Sequence, residues 1–226
     1  MTEFLTALGV FLAAHVGPAV PPVRRALVRR LGEPRYLAIY AVVSTALLAW
    51  LIVAVLRAPY VHLWTPPLWT YWVPLVVMPA AFMLLCVGLI TPNPLSISLS
   101  RAPFDPDRPG LVGWVRHPVL WGFGLWSLSH MPANGALVPA ILFGVFTVFS
   151  FGGMPMVDRK RRRTMGPDAW RRLDAARRAG RAAGLPWTAR ATAGVALGLA
   201  LTLAFVLWAH QALFGLSPVP LLGVGL

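Results

Sequence analysis

The residues best suited to chemistry lie in one short apolar segment. Arg116-His117-Pro118-Val119-Leu120-Trp121-Gly122 is followed by Ser129-His130, thirteen residues after His117, and then by Asn134-Gly135. Imidazole is costly in hydrocarbon without a partner, so a ligand, metal or cofactor is expected here. Proline is well tolerated in the first turn of a helix, which makes Arg116 and His117 the entry to one. Two readings of that entry stand level: a cap at the cytoplasmic surface, or a cradle for an anion or cofactor head group at the helix N-terminus.

The elements that must position these groups are membrane helices. Hydrophobic residues make up 58% of the 226 and charged ones only 12%, against roughly 25% charged in a soluble domain. Apolar runs of about 20 residues, enough to span a bilayer, fall near 3–22, 36–56, 71–91, 117–133, 136–153 and 191–213. The chain therefore reads as a single all-α domain over 1–226, a polytopic bundle of about six transmembrane helices. Glu3 and the lack of a basic leader distinguish the first run from a signal peptide. The long polar region 154–190 is expected to be a basic cytoplasmic loop. Within it, Asp158–Arg163 and Asp168–Arg181 are predicted amphipathic helices, broken at Gly166-Pro167.

A net charge of +13 suggests nucleic acid until its distribution is considered. The five successive loops carry 5, 1, 3, 0 and 11 Lys and Arg residues. That alternation is the positive-inside pattern of an even-spanned bundle. It places both termini on the non-cytoplasmic side. The charge is thus assigned to orientation and anionic lipid, with the bilayer as partner and nucleic acid excluded.

The five histidines differ in setting. His62 lies in an aromatic loop, 57–70, and His210 near an outer helix end, and both read as interfacial. His15, in Leu12-Ala13-Ala14-His15-Val16-Gly17-Pro18, and His130 stand inside apolar helices and are functional candidates. Cys86 is the single cysteine, so disulfides and thiolate metal sites within one chain are excluded, and it reads as a small buried apolar residue. Asp105, Asp107, Asp158, Asp168 and Asp174 are placed in loops, which argues against a di-iron carboxylate site. Histidine-ligated haem iron survives this elimination best, with His15 paired to either His130 or His117.

The run from Arg116 to His130 with Asn134-Gly135, and His15 followed by Pro18, Arg24, Arg25, Leu31-Gly32-Glu33 and Arg35-Tyr36, resembles the NnrU family of bacterial membrane proteins. The resemblance covers nearly the whole chain and implies a bacterial inner membrane. That family includes the 15-cis-zeta-carotene isomerase of plants and cyanobacteria, a membrane enzyme with haem b. It implies haem b iron ligated by His15 and His130, with Arg116, His117, Trp121 and Asn134 as further cofactor-site residues. Two activities are implied: redox-gated cis-trans isomerisation of a hydrophobic polyene, or a denitrification-linked role with nitric oxide as ligand. Trp121-Gly122 and the stretch 129–135 are closer to the bacterial branch than to the carotenoid one. An Arg-His-Pro-x-x-x-Gly element also occurs in S-adenosylmethionine-dependent membrane methyltransferases of the isoprenylcysteine type. Those enzymes continue with glutamates and tyrosines, whereas this chain reads Asp158-Arg159-Lys160 and Met165-Gly166-Pro167-Asp168-Ala169-Trp170.

Overall fold

The computed structural model describes residues 1–185 and 188–218. Its helices form two compact units, residues 1–64 with 136–142, and residues 65–135 with 143 onward. Among the described residues there is no strand, only an isolated antiparallel bridge between His62 and Ala136.

In the first unit, α1 (Thr2–Val16) ends in a 3-10 turn, Gly17–Ala19, before α2 (Pro21–Leu31) and α3 (Glu33–Arg57). Phe4, Ala7, Leu8 and Phe11 are buried on α1 at helical spacing, and α1 packs on α3, whose buried residues include Leu51 and Ala54. The first apolar run was expected to continue to residue 22. Instead the helix stops at Val16 and the chain bends by 78° into α2. Pro18, Pro21 and Pro22 each lack the N–H that a continuing helix would need. The second piece, α2, buries none of its residues and carries Arg24, Arg25, Arg29 and Arg30. Its junction with α3 is a Gly32 at φ +74°, bridged by the Arg24–Glu33 ion pair at 3.0 Å.

The second unit holds α4 (Trp72–Ile90), the single turn α5 (Leu111–Trp114), α6 (Pro118–His130), most of α7 (Leu137–Met165), α8 (Pro167–Ala179), α9 (Ala189–Ala204) and α10 (His210–Phe214). A π-helical turn, Phe205–Ala209, joins the last two. The helix α4 is the spine, with α6 and α9 both packed against it. A Cβ on Gly194 would lie 2.8 Å from the Val87 Cα, and one on Gly198 would lie 2.8 Å from the Met83 Cα. Glycines four apart thus bring the backbones of α9 and α4 into direct contact, the small-residue mode of membrane helix packing. On the other side, Gly122 sits against Leu85 and the Ala81 carbonyl, and Gly88 against Pro118. The pairings 88 with 118, 124 with 151 and 127 with 147 make α6 antiparallel to both α4 and α7.

Four helical runs are long and apolar enough to cross a membrane: Glu33–Arg57, Leu68–Ile90, Leu137–Met165 and Ala189–Phe214. The bent α1–α2 pair makes a fifth when counted as one span. The remaining expected span, 117–133, contains α6, whose 13 residues rise about 20 Å against a hydrocarbon core of about 30 Å. The chain is nonetheless a polytopic, all-helical membrane bundle. The loop expected over 154–190 also changes at its start. Residues 154–165 are the last turns of α7, which meets no stop until Gly166 at φ +85°. The expected break at Gly166-Pro167 is present, and α8 follows it.

The α4–α9 contact makes a direct prediction. Gly198→Leu must displace backbone, so it should cost about 1–3 kcal/mol and lower the melting temperature of the detergent-solubilised protein. Gly144→Ala, where no atom lies within 4 Å of the added Cβ, should leave it nearly unchanged. Equal behaviour of the two variants would refute the close approach.

Candidate ligand-binding site

His117 owes its position to the residue after it. A residue preceding proline is disfavoured from the α region, and His117 adopts φ −119° and ψ 61°, outside the helix it begins. Its carbonyl still accepts the first helical bond, from Trp121 N at 2.9 Å. Asn93 holds the preceding residue in place. Its Nδ2 donates to the Arg116 carbonyl at 2.9 Å while its Oδ1 accepts from Leu95 N at 3.1 Å. The His117 Nδ1 lies 2.8 Å from Ser96 Oγ, and the Ser96 carbonyl accepts from Arg161 Nη2 at 2.7 Å.

The opposing wall comes from the end of α7 and from α8. Asp158 places Oδ1 3.2 Å from His117 Nε2 and Oδ2 3.3 Å from Arg116 Nη2. Asp174, 3% exposed, sits among three guanidiniums. It accepts from Arg177 Nε at 2.9 Å and Arg178 Nη2 at 2.6 Å, and its Oδ1 lies 3.3 Å from Arg116 Nη1. Arg177 Nη1 also donates to the Val112 and Gly113 carbonyls, at 2.8 and 2.7 Å, tying α8 to the turn of α5. Arg162 and Arg116 lie over the Trp170 ring, 4.0 and 5.3 Å from its centroid.

Burial would raise the Asp174 pKa, but the hydrogen bonds from Arg178 and Arg177 and the charges of Arg177 and Arg116 hold it below the usual carboxylate range. Burial pushes His117 the other way from protonation. Asp158 opposes that shift, Arg116 and Arg177 reinforce it, and the net direction is down. His117 is therefore a neutral imidazole near neutral pH.

These groups border an open cleft of about 500 Å³ lined by Trp114, Val115, Arg116, His117, Trp121, Met154, Pro155, Asp158 and Arg177. One end is charged and the walls are aromatic and aliphatic. Four buried polar atoms at the charged end make no aligned hydrogen bond: Arg116 Nε and Nη1, His117 Nε2 and Asp158 Oδ1. His117 Nε2 and Asp158 Oδ1 face each other at 3.2 Å and Arg116 Nη1 faces Asp174 Oδ1 at 3.3 Å, but not along the bond directions. Buried polar atoms are seldom left this way without a ligand or water to meet them. Ser96, His117 and Asp158 superficially trace a nucleophile–base–acid line. Ser96 is completely buried and does not border the cleft, so it is not a nucleophile for anything bound there.

Within the second unit, the structure brings Arg116, His117 and Trp121 together and places His130 and Asn134 elsewhere. His130 ends α6, thirteen residues on from His117 and about 20 Å away along the helix. Its Nδ1 lies 2.7 Å from the Trp126 carbonyl, and its ring packs on Phe143 at 5.1 Å. Asn134 is close by in sequence and donates to the His130 carbonyl at 2.7 Å, closing the end of α6. His15 belongs to the first unit. Its Nδ1 lies 2.8 Å from the Phe11 carbonyl, with Phe11 stacked at 4.1 Å and Tyr40 edge-on at 5.9 Å. His62 is exposed, 3.3 Å from Tyr60 Oη, and His210 donates to the Leu216 carbonyl at 2.7 Å. Asp158, Asp174, Asn93 and Ser96 went unread in the sequence as site residues. The placement of Asp158, Asp168 and Asp174 in loops is corrected: Asp158 lies on α7, and the other two on α8. Among the described residues, no group of three or more His, Cys, Asp or Glu side chains is placed to hold a metal ion.

The fold and this polar end cluster define a multi-pass helical membrane protein with a charged cleft at one end of its bundle. Residues 3–218 match the family described as NnrU protein, and the chain belongs to that family. No curated protein and no solved structure is detectably similar to it.

Two variants test the cluster. Asp174→Asn strands Arg177 without its carboxylate, leaves Arg116 with Asp158 alone and should cost about 3–5 kcal/mol, whereas exposed Asp107→Asn should be near neutral. The His117 contribution has a defined pH sense. Its folded pKa lies below the ordinary value near 6.5, so the unfolded chain takes up the proton first. Stability should be full above about pH 6.5 and should decline as pH falls through the depressed folded value. Melting temperatures measured from pH 7.5 to 5 should decline less steeply in His117→Gln than in wild type. Parallel profiles would refute the assignment.

Proposed function

We propose that the protein binds haem b in the inner membrane, with His15 and His130 as the iron ligands. The observation that carries this reading is the hydrogen bond each imidazole makes within its own helix. A carbonyl can only accept, so Nδ1 of both rings bears the proton, donated to Phe11 in one case and Trp126 in the other. That leaves Nε2 with the lone pair, the tautomer and bracing that metal-bound histidines ordinarily have. Each ring is also packed against aromatic side chains. Haem iron takes four ligands from its porphyrin, so two imidazoles satisfy it without a larger protein cluster. His210 shares the Nδ1–carbonyl bond, but in an exposed setting; the family resemblance selects His15 and His130.

Bound haem would supply a redox-active iron, serving either cis-trans isomerisation of a polyene or the binding of nitric oxide. The residues of this chain would hold and orient the imidazoles and keep water from them. His15→Ala and His130→Ala should each abolish or strongly weaken the Soret band of the purified protein. His62→Ala and His210→Ala should leave it nearly unchanged. A band that survives His130→Ala and is lost in His117→Ala or His210→Ala would overturn the ligand assignment.

A second reading, a membrane methyltransferase using S-adenosylmethionine, is favoured by the cleft at Arg116 and His117 and by the carboxylate of Asp158 beside it. It requires a colourless protein that binds S-adenosylmethionine. The arrangement in the membrane is proposed from the loop charges, with the cleft end cytoplasmic and both termini outside. A reporter fused after residue 226 should then act as non-cytoplasmic, and one inserted near residue 175 as cytoplasmic; the opposite pattern would reverse the topology.

A further inference from the structure

We infer that the cleft between α6, α7 and α8 binds the head of an amphiphile that ends in a phosphate monoester. The inference does not depend on haem, because the cleft and His130 lie at opposite ends of α6. Three observations support it. The first is the set of unmatched groups: Arg116 Nε and Nη1 are buried donors without an aligned acceptor, and Asp158 Oδ1 is a buried acceptor without an aligned donor. A phosphate monoester satisfies both kinds at once. Its oxygens accept from the guanidinium, and its second ionisation near pH 6 leaves part of the population with an O–H to donate. A carboxylate or a phosphodiester head, fully ionised, offers Asp158 no phosphate or carboxyl proton.

The second observation is His117. It is 4% exposed and borders the cleft, with Nδ1 engaged by Ser96 and Nε2 3.2 Å from Asp158 Oδ1 but not aligned with it, so that a ligand hydroxyl at Asp158 would meet the imidazole as well. The imidazole therefore adds a second polar contact at a fixed place, held by Asn93 and Pro118. The third is the lining beyond the charged end. Trp114, Val115, Trp121, Met154 and Pro155 are apolar, with Trp114 58% and Trp121 41% exposed. Such walls suit hydrocarbon chains continuing from the head into the bilayer. Arg177, fastened to Asp174 and two carbonyls, contributes charge without being free to move.

The test uses the full-length protein in detergent and four soluble probes: dioctanoyl phosphatidic acid, dioctanoyl glycerol, inorganic phosphate and S-adenosylmethionine. Binding is read by the shift in melting temperature and by native mass spectrometry. Phosphatidic acid should bind at least roughly tenfold tighter than the phosphate-free glycerolipid or inorganic phosphate. Arg116→Gln should weaken it by a similar factor. Should that variant not fold, Met154→Trp fills the apolar part of the cleft and leaves the ion cluster whole; it too should lose phosphatidic acid. Unchanged binding in Met154→Trp, or equal affinity for dioctanoyl glycerol, would refute the proposal. Inorganic phosphate binding as tightly as the lipid would make the site one for a free anion. S-adenosylmethionine binding tighter than the lipid would give the cleft to the methyltransferase reading. Each of those two results overturns the amphiphile.

Discussion

A carboxylate buried among guanidiniums is the constraint on which the rest of the second unit depends. Asp174 alone would be costly to bury, and so would Arg177. Together they offset each other, and the two Nη1 protons of Arg177 reach backbone carbonyls of α5. This ties α8 to the turn that delivers Arg116 and His117 to α6. Arg116 is held from both sides, by Asp158 on α7 and Asp174 on α8. The cleft exists because three separate helices meet at one ionic cluster without filling the space beside it.

Packing in the apolar part works by a different rule. Hydrocarbon offers no hydrophobic gain for bringing helices together, so contact depends on how closely backbones approach. Glycines on α9, α6 and α4 provide that approach on two faces of the spine. Pro118 is fully buried against Gly88, so the residue that frees His117 from helical geometry also anchors the start of α6. A local conformational rule and a packing contact share a single side chain.

Much of this was legible in the sequence. Hydropathy located the long helices, Gly166-Pro167 marked the start of α8, and Arg116-His117-Pro118 marked the helix entry at the cleft. Hydropathy failed where proline chemistry intervened. Residues 17–22 are apolar enough to continue α1, but Pro18, Pro21 and Pro22 lack the amide protons to do so. It also overstated α6, since apolar character continues beyond His130 after the helix has ended. The acidic half of the site was hidden for another reason. Asp158 and Asp174 stand among eleven basic residues and read as loop charges: Arg177 and Arg178, three and four residues from Asp174, look like ordinary helix-surface partners, while Arg116 and His117 are distant in sequence and meet the two carboxylates only once α7 and α8 have turned back. The spacing of Gly194 and Gly198 was visible in the chain, but hydropathy alone gives a glycine no structural meaning.

The π turn at Phe205–Ala209 has a consequence for the geometry of the last helix. A π turn accommodates one more residue than the α-helical ladder around it. Every side chain beyond it is therefore rotated by about 100°, one residue's share of an α-helical turn. A helical wheel drawn straight through 189–214 assigns His210 and its neighbours to the wrong face. Contacts made by α9 through Gly194 and Gly198 consequently do not dictate the direction in which α10 points. The two segments present faces offset by that rotation, although they form one continuous helical run.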